Sequence, residues 1–378
     1  MHSSRNHGLD TLRALAIILV FCYHYYVFVS GTQTFGMWSE IGWVGVDLFF
    51  ALSGYLIGNQ IFAAMRSDSG FSLTNFYARR FLRTLPNFYL ILALFFLVPW
   101  FRVKGEMLPL WKFLTFTHNY QLTPDTPFSY AWSLCIEEQF YMLLPAVALL
   151  VAALRGSIKW GWALIAATIV GGMAMRANLW DPSHLTDAGN VDYYRNIYYS
   201  TFCRFDELIA GVAIAMARNY HGQLWKRLTA HGNVTLVLGL ASTALAFYLQ
   251  LNCNHYFVTT VFGYPMLALS FSLLIVAALS ERSLLRSVRV PGAASIALWS
   301  YAIYLTHKQV SLIATRALQP YGYGPDDLVV VLAMCALSVA SGSLLYTCVE
   351  SPFMRLRDRF VPSNAARPKK ADLVMAPQ

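Results

Sequence analysis

Apolar stretches of roughly 20 residues recur along the whole chain, and short polar segments separate them. A helix of about 20 apolar residues is long enough to cross the ~30 Å hydrocarbon core of a bilayer. The pattern therefore predicts an all-α, polytopic membrane protein of about ten transmembrane helices. The expected spans lie near residues 9–29, 41–64, 84–101, 139–154, 160–178, 202–218, 233–250, 257–279, 293–315 and 328–349.

The composition excludes an ordinary soluble domain. Of the 378 residues, 57% are hydrophobic and 12% are charged, whereas about 25% of the residues in a soluble domain are charged. The net charge of +9 is explained by basic cytoplasmic loops and their attraction to anionic lipid headgroups. No nucleic-acid-binding motif accompanies this charge, so we expect the lipid bilayer, and no nucleic acid, as a partner.

Basic residues concentrate in alternate connecting segments. If the N-terminus is cytoplasmic, most of the 28 Lys and Arg residues lie on that side of the membrane, as the positive-inside rule requires. We therefore expect an even number of spans and both termini in the cytoplasm. Residues 1–355 are interpreted as the transmembrane domain, and residues 356–378 as a basic, disordered cytoplasmic tail.

Two ionisable residues occupy the first expected span. A charge inside a span is costly, so each such residue is a functional candidate. His24 follows Arg13 by eleven residues, which is three helical turns plus about 20°, so both side chains project from one face about 16 Å apart. Two simpler interpretations stay open: His24 bonds a neighbouring helix, and Arg13 extends to the inner headgroups.

Further ionisable residues fall mainly near the outer ends of other spans. The candidates are Asp47, Glu137, Glu138, Arg204, Glu207 and His307. Arg204 and Glu207 stand at i,i+3 and can pair. Glu137 and Glu138 point about 100° apart on a helix, so we expect only one of them to face a cavity. No group of His, Cys and carboxylate residues has ligand spacing, so we expect no metal site.

A basic cluster, Arg79, Arg80 and Arg83, lies on the cytoplasmic side at the entry to the third expected span. It is explained either by the positive-inside bias or as a phosphate clamp, since guanidinium groups bind phosphate oxygens bidentately. Residues 193–199, on the outer side, contain four tyrosines, which either anchor the protein at the interface or form a platform for a sugar ring. The residues alone suit two functions: transfer of a group across the membrane, or transport of a substrate through it.

Seven motifs occur in the order found in a known family. They are GLDTLRALAIILVFCYH, GWVGVDLFFALSGYLI, FYARRFLRTLP, WSLCIEEQFYMLLP, CRFDELIAGVAIA, WSYAIYLTHKQV and YTCVESP. On these motifs the chain resembles the acyltransferase family 3 membrane O-acyltransferases, from the first expected span to the tenth. The ten residues between Arg13 and His24 and the WSL..EEQFY motif carry most of the resemblance.

The resemblance implies a ten-helix enzyme of the bacterial inner membrane. Enzymes of this family move an acyl group, usually acetyl, from cytoplasmic acyl-CoA to a hydroxyl of a glycan or glycolipid, or in some members to a small molecule. Acyl-CoA is then a donor substrate, and no bound cofactor is expected. Some members carry a C-terminal extracytoplasmic domain. This chain stops shortly after the tenth expected span, which predicts a stand-alone enzyme.

The resemblance also implies roles for individual residues. His24 is the essential histidine, acting as general base or acyl carrier, with Arg13 as its partner. Burial in the membrane favours the neutral imidazole that either role needs. The remaining expected roles are orientation of the imidazole (Glu137 or Glu138), acyl-CoA binding (Arg79, Arg80 and Arg83), and the acceptor side (Asp47, Arg204, Glu207 and His307).

A secondary transporter or lipid flippase is the alternative function, with the buried charges as a substrate or proton path. Transporters often show inverted repeats and broken spans in corresponding positions, and this sequence shows no such symmetry. Several acceptors stay open: a lipopolysaccharide O-chain, an exopolysaccharide, a glucan, peptidoglycan, a lipo-oligosaccharide or a small molecule. The acyl chain and the choice between base and carrier are equally open.

Overall fold

The computed structural model describes residues 6–67, 70–102, 105–124, 126–154 and 157–364, apart from the side chains of residues 187–189. Across this part of the chain the secondary structure is helical, without a β-strand. The long helices are α1 (His7–Tyr25), α2 (Val44–Met65), α3 (Leu73–Leu97), α4 (Trp132–Ala153), α5 (Ile158–Leu179), α6 (Asp206–Tyr220), α7 (Gly232–Asn252), α8 (Phe257–Leu279), α9 (Ala293–Leu318), α10 (Leu328–Leu345) and α11 (Ser351–Phe360).

Eight helical segments within the described ranges are long and apolar enough to cross a membrane. They are His7–Ser30, Val44–Met65, Leu73–Leu97, Ser129–Ala153, Ile158–Leu179, Gly232–Asn252, Phe257–Leu279 and Leu328–Phe360. The protein is therefore a polytopic, all-α membrane protein, as predicted. The other two expected spans correspond to α6, which has only 15 residues, and α9, which buries polar side chains in its middle.

Two helices begin earlier than the sequence pattern predicts. The expected spans 84–101 and 139–154 are wrong at their N-terminal ends, because α3 begins at Leu73 and α4 begins at Trp132. An apolar window stops at charged residues, but Arg80 of α3 pairs with two glutamates of α4 inside the protein. Those glutamates therefore lie within α4 and not at its outer end.

Glycines bring α2 and α6 into close backbone contact. A Cβ atom on Gly54 of α2 would meet the carbonyl of Leu208 in α6, and one on Gly211 would meet the carbonyl of Ala51 in α2. Small residues of this kind let membrane helices approach closely. The contact holds together the two helix ends that carry the buried ion pair described below.

Replacing Gly54 with alanine should destabilise the protein. The added methyl group must displace the backbone of α6, and overpacking of this kind costs about 1–3 kcal/mol. Chemical unfolding of the purified protein in detergent measures the loss. Gly171→Ala in α5 is the matched control, because a Cβ atom there meets nothing within 4 Å. Equal stability of the two variants would contradict the close contact.

The start of the expected cytoplasmic tail is ordered. The boundary between residues 355 and 356 falls inside α11, which ends at Phe360. Asn364 then donates a hydrogen bond to the Ser72 carbonyl at 2.8 Å and accepts one from the Ser72 N–H at 3.1 Å. The expectation of disorder from residue 356 is therefore wrong for residues 356–364, while residues 365–378 lie outside the described part of the chain.

Candidate functional site

Two histidines from distant parts of the chain meet in the bundle. His24 lies in the last turn of α1, and its Nδ1 is 2.8 Å from Nε2 of His307 in α9. The two imidazole planes are within 3° of parallel, with centroids 5.0 Å apart. Both rings are buried. The structure therefore gives His24 a histidine as its hydrogen-bond partner.

The hydrogen-bond chain determines the tautomers of the two rings. Nδ1 of His307 lies 2.9 Å from the carbonyl oxygen of Ile303, and because a carbonyl only accepts, this nitrogen carries the hydrogen. With both rings neutral, Nε2 of His307 accepts from Nδ1–H of His24. The Nε2 atom of His24 then carries a lone pair, so this nitrogen can act as a base or a nucleophile.

Aromatic side chains and a lysine surround the histidine pair. The ring centroids of Phe28 and Tyr130 lie 5.4 and 6.0 Å from that of His24. Lys308 follows His307 in sequence, and its Nζ lies 3.4 Å from the centroid of Phe28, which is a cation–π contact. The pair therefore sits in an apolar pocket beside a cation, and these surroundings favour the neutral imidazoles.

His24 lines a cavity of about 280 Å³, which we call the outer cavity because it lies towards the side that the sequence pattern predicts to be outside. The wall is largely aromatic and includes Tyr23, Trp43, Tyr194 and Tyr198. A second cavity of about 320 Å³ shares these four aromatic residues and adds polar ones. The added polar residues are Glu40, Gln250, Asn254 and His255, and Asn190 lines both cavities. Aromatic faces with polar groups at the edge are suited to a sugar ring.

His255, which lines the second of these cavities, lies in the turn from α7 to α8. Burial lowers the pKa of His255 to about 4, so the ring is neutral near pH 7. It packs against Tyr193, with the ring centroids 3.9 Å apart. A neutral imidazole adds a hydrogen-bonding group to the aromatic wall without adding a charge.

A separate cavity of about 80 Å³, which we call the inner cavity because it lies towards the side predicted to be cytoplasmic, is lined by five of the residues predicted from the sequence. These are Arg13, Arg80, Arg83, Glu137 and Glu138. Ser53 donates a hydrogen bond to Glu137 at 3.0 Å. Arg80 lies 3.6 Å from a carboxylate oxygen of Glu138 and 3.9 Å from one of Glu137. The Nε atoms of Arg13 and Arg80 and one oxygen of Glu138 are buried without a hydrogen-bond partner, so the cavity has polar atoms left to contact a ligand.

Two expectations about the glutamates are wrong. Both Glu137 and Glu138 line the inner cavity, because their long side chains converge on Arg80. The contact expected between His24 and one of them is made instead by His307, which the sequence placed on the acceptor side. The sequence offered one signal for this pairing, which is a second histidine within an expected span. It could not predict the contact, because 283 residues separate the two histidines.

The arginine cluster is divided. Arg79 pairs with Asp358 of α11 at 2.6 Å and donates to the carbonyl of Val361 at 2.6 Å, so it holds the C-terminal helix. Arg80 and Arg83 turn towards the inner cavity. Of the three residues predicted to bind acyl-CoA, Arg80 and Arg83 therefore face this cavity and Arg79 does not.

The residues expected on the acceptor side form a buried ion pair behind the outer wall. Arg204 donates to Asp47, and both side chains are fully buried. The Arg204 guanidinium also lies 4.7 Å from the ring centroid of Tyr198 and 5.0 Å from that of Trp132. The expected pairing of Arg204 with Glu207 is wrong: Asp47 takes that place, and both Glu207 oxygens are buried without a hydrogen-bond partner.

A wall separates the inner cavity from the outer one. Val46 lines both cavities, Tyr304 lines the inner one and Tyr130 the outer one. The Tyr304 hydroxyl donates to the Tyr130 carbonyl and lies 2.7 Å from the hydroxyl of Ser133. Neither tyrosine could be singled out from the sequence, because aromatic residues make up 15% of the chain.

Comparison with known proteins places the chain in a family. The family model described as "Acyltransferase domain" matches residues 6–347. The chain is 30% identical over 239 residues to the "Putative peptidoglycan O-acetyltransferase YrhL" of Bacillus subtilis (strain 168), covering 57% of this chain and 34% of that protein. It is 30% identical over 223 residues to the "Peptidoglycan O-acetyltransferase OatA" of Listeria monocytogenes serovar 1/2a, covering 55% and 34%. The chain thus spans about a third of the length of these relatives. No solved structure matches it.

Proposed function

Because this chain belongs to acyltransferase family 3, we propose that it is a bacterial inner-membrane enzyme that transfers an acyl group, acetyl in the first instance, from cytoplasmic acyl-CoA to a hydroxyl of a glycan or glycolipid on the outer side. The names of its relatives, which are peptidoglycan O-acetyltransferases, support a glycan acceptor. One observation carries the proposal. His24, which has a lone pair on Nε2, lines an aromatic cavity, and a separate cavity lined by arginines lies next to it.

The reaction follows from the tautomers of the histidine pair. Nε2 of His24 takes the proton of the acceptor hydroxyl as its oxygen attacks the acyl carbonyl carbon. The C–S bond breaks, the thiolate of coenzyme A leaves with the electron pair, and it takes the proton from Nε2 of His24, which restores the neutral imidazole. The imidazolium formed at His24 donates from Nδ1–H to Nε2 of His307, which stabilises the positive charge. In the carrier mechanism the same Nε2 lone pair attacks the carbonyl carbon first, and the C–S bond breaks to release the thiolate. The acceptor oxygen then attacks that carbon, the C–N bond breaks to return the electron pair to Nε2, and the hydroxyl proton passes to the thiolate.

The donor approaches from the inner cavity. About 80 Å³ is small beside the ~300–1,000 Å³ of pockets that enclose whole ligands, so the cavity accommodates only the acyl-bearing end of the donor. Arg13, Arg80 and Arg83 supply N–H groups to the carbonyl oxygens of that end, and for Arg13 and Arg80 these include the buried Nε atoms that form no hydrogen bond within the protein. The acyl group then passes the wall at Val46, Tyr130 and Tyr304 to reach His24.

Membrane vesicles containing the protein test the proposal. Radiolabelled acetyl-CoA is supplied, and the label in glycan and lipid-linked fractions is counted with and without the protein. We expect label in these fractions only when protein and acetyl-CoA are both present. Uptake or release of a glycan or lipid that proceeds without acyl-CoA, with no label transferred, would favour the transporter alternative instead.

His307 should act as a positioning residue for His24. Replacing His307 with phenylalanine removes the acceptor for Nδ1–H of His24, and we expect kcat to fall about 10- to 100-fold, by analogy with the loss of the hydrogen-bond partner of a metal-bound histidine. His307→Gln keeps a carbonyl acceptor and should recover part of the rate. The kcat values of both variants at saturating acetyl-CoA provide the measurement. If both variants lose the same activity, the role of the acceptor is refuted.

A further inference from the structure

A large polar pocket lies where the first turn of α1 meets the connections after α6 and α8. Its volume is about 710 Å³, within the range of pockets that enclose whole ligands. Four basic side chains and one acidic side chain, that of Glu281, line it. The basic residues are Arg218, Lys226, Arg282 and Arg286, and the aromatic residues are Tyr55 and Trp225. We call this space the basic pocket.

Most of the positive charge in the basic pocket is not neutralised by the protein. Within the described ranges, Lys226 and Arg286 form no ion pair within 4 Å. Arg218 donates to the neutral hydroxyl of Tyr55, and Arg282 contacts a backbone carbonyl at 3.4 Å. Uncompensated guanidinium and ammonium groups around a concave space attract a ligand with several negative charges, above all one with phosphate groups.

The basic pocket lines up with the two cavities described above. Leu9 lines the basic pocket and Arg13, one turn along α1, lines the inner cavity. In α2, Leu56 lines the basic pocket and Ser53 the inner cavity. The three spaces thus follow the seam between α1 and α2, and Leu9 and His24 are about 22 Å apart along the helix axis. A ligand held in the basic pocket needs a long, narrow arm to reach the histidine.

We propose that the basic pocket binds the phosphorylated adenosine end of the acyl donor, with Lys226 and Arg286 on the phosphates and Trp225 against the adenine. The half-buried indole of Trp225 offers a face on which a base can stack, a contact that any base can make. This inference rests on the proposed function, because it assumes that the donor is an acyl-CoA and that these connections are cytoplasmic. It leaves the inner cavity to the acyl-bearing end, as its small volume requires.

Binding of adenosine 3′,5′-bisphosphate, the nucleotide end of coenzyme A without its arm, tests the pocket directly. Purified full-length protein in detergent is dialysed against the radiolabelled compound. The double variant Lys226→Gln/Arg286→Gln should bind about tenfold more weakly or less, because two charge-assisted contacts are lost. Arg227→Gln/Arg289→Gln is the matched control: it removes the same charge from the same two connections, outside the lining, and should change the affinity less than about twofold.

Transfer assays separate this inference from the proposed function. In the pocket variant, KM for acetyl-CoA should rise by the same factor with kcat unchanged, and transfer from S-acetyl-N-acetylcysteamine, a donor without a nucleotide, should equal that of wild type. Transfer by wild type together with unchanged KM in the pocket variant would overturn the inference and leave the function intact. Nucleotide binding that depends on the pocket, without transfer by any variant, would support the pocket and refute the function.

An anionic lipid headgroup is the competing source of phosphate. Binding to vesicles of phosphatidylglycerol is therefore compared between the pocket variant and its control. If the pocket variant loses vesicle binding but retains wild-type affinity for adenosine 3′,5′-bisphosphate, the pocket is a lipid site and the proposal is overturned. If it loses nucleotide affinity alone, the proposal stands.

Discussion

Replacing His24 with alanine should reduce acyl transfer by about 10³-fold or more. The variant loses the Nε2 lone pair that accepts the hydroxyl proton in the proposed reaction. It also loses the imidazolium that a hydrogen bond from Nδ1–H of His24 to His307 would stabilise. General base catalysis contributes about 10²–10⁴-fold, and a carrier role would make the loss larger still because the intermediate could not form. Label transferred from radiolabelled acetyl-CoA, at matched protein levels in membranes, measures the effect.

The exposed His231 provides the control for this change. His231→Ala removes an imidazole from a connection on the other side of the bundle and should transfer label at the wild-type rate. Thermal unfolding of His24→Ala should resemble that of wild type, so that lost activity is not lost protein. Wild-type transfer by His24→Ala would refute the mechanism, although the family membership of the chain would stand.

Replacing Arg204 with methionine should lower the free energy of unfolding by about 3–5 kcal/mol, the cost of leaving a buried charge without its partner. The methionine fills much of the space under Trp132 and Tyr198, so the change removes the charge more than the packing. The carboxylate of Asp47 is then buried without a cation, close to the equally buried Glu207. Chemical unfolding in detergent measures the change.

An exposed ion pair provides the matched comparison. Arg195 pairs with Asp192 at 3.1 Å, with the two side chains 33% and 55% exposed, and exposed pairs contribute about 0–1 kcal/mol. Arg195→Met should therefore be nearly neutral. The double variant Asp47→Leu/Arg204→Met should regain much of the lost stability, because it removes both buried charges. A double variant less stable than Arg204→Met would contradict this explanation.

Most spans could be predicted from apolarity because lipid-facing residues must be apolar over about 20 positions. The prediction failed where charges are paired inside the bundle. The third span starts at Leu73 and not near residue 84, since Arg80 has carboxylates from α4 as partners and so need not leave the membrane. A hydropathy window evaluates one segment at a time, so it does not account for a charge that another helix neutralises.

The candidate site could be predicted as a set of residues but not as a set of contacts. The resemblance to the family pointed to His24, and ionisable residues in spans pointed to Glu137 and Arg204. Their partners are long-range: His307 for His24 and Asp47 for Arg204. Helical spacing favoured the local pairing of Arg204 with Glu207, and the close approach of α2 and α6 at Gly54 and Gly211 brings in Asp47 instead.

The wall of Val46, Tyr130 and Tyr304 gives the proposed reaction a sidedness. The outer surface of a bacterium has no supply of activated thioesters, whereas the cytoplasm regenerates them continuously. With the two cavities on opposite sides of this wall, the proposed reaction would release coenzyme A on the side where it can be recharged and leave the modified glycan on the side where it is needed. The reaction proposed here would thereby use the chemical potential of a cytoplasmic metabolite on the outer side of the membrane, while neither the nucleotide nor the glycan would cross the bilayer.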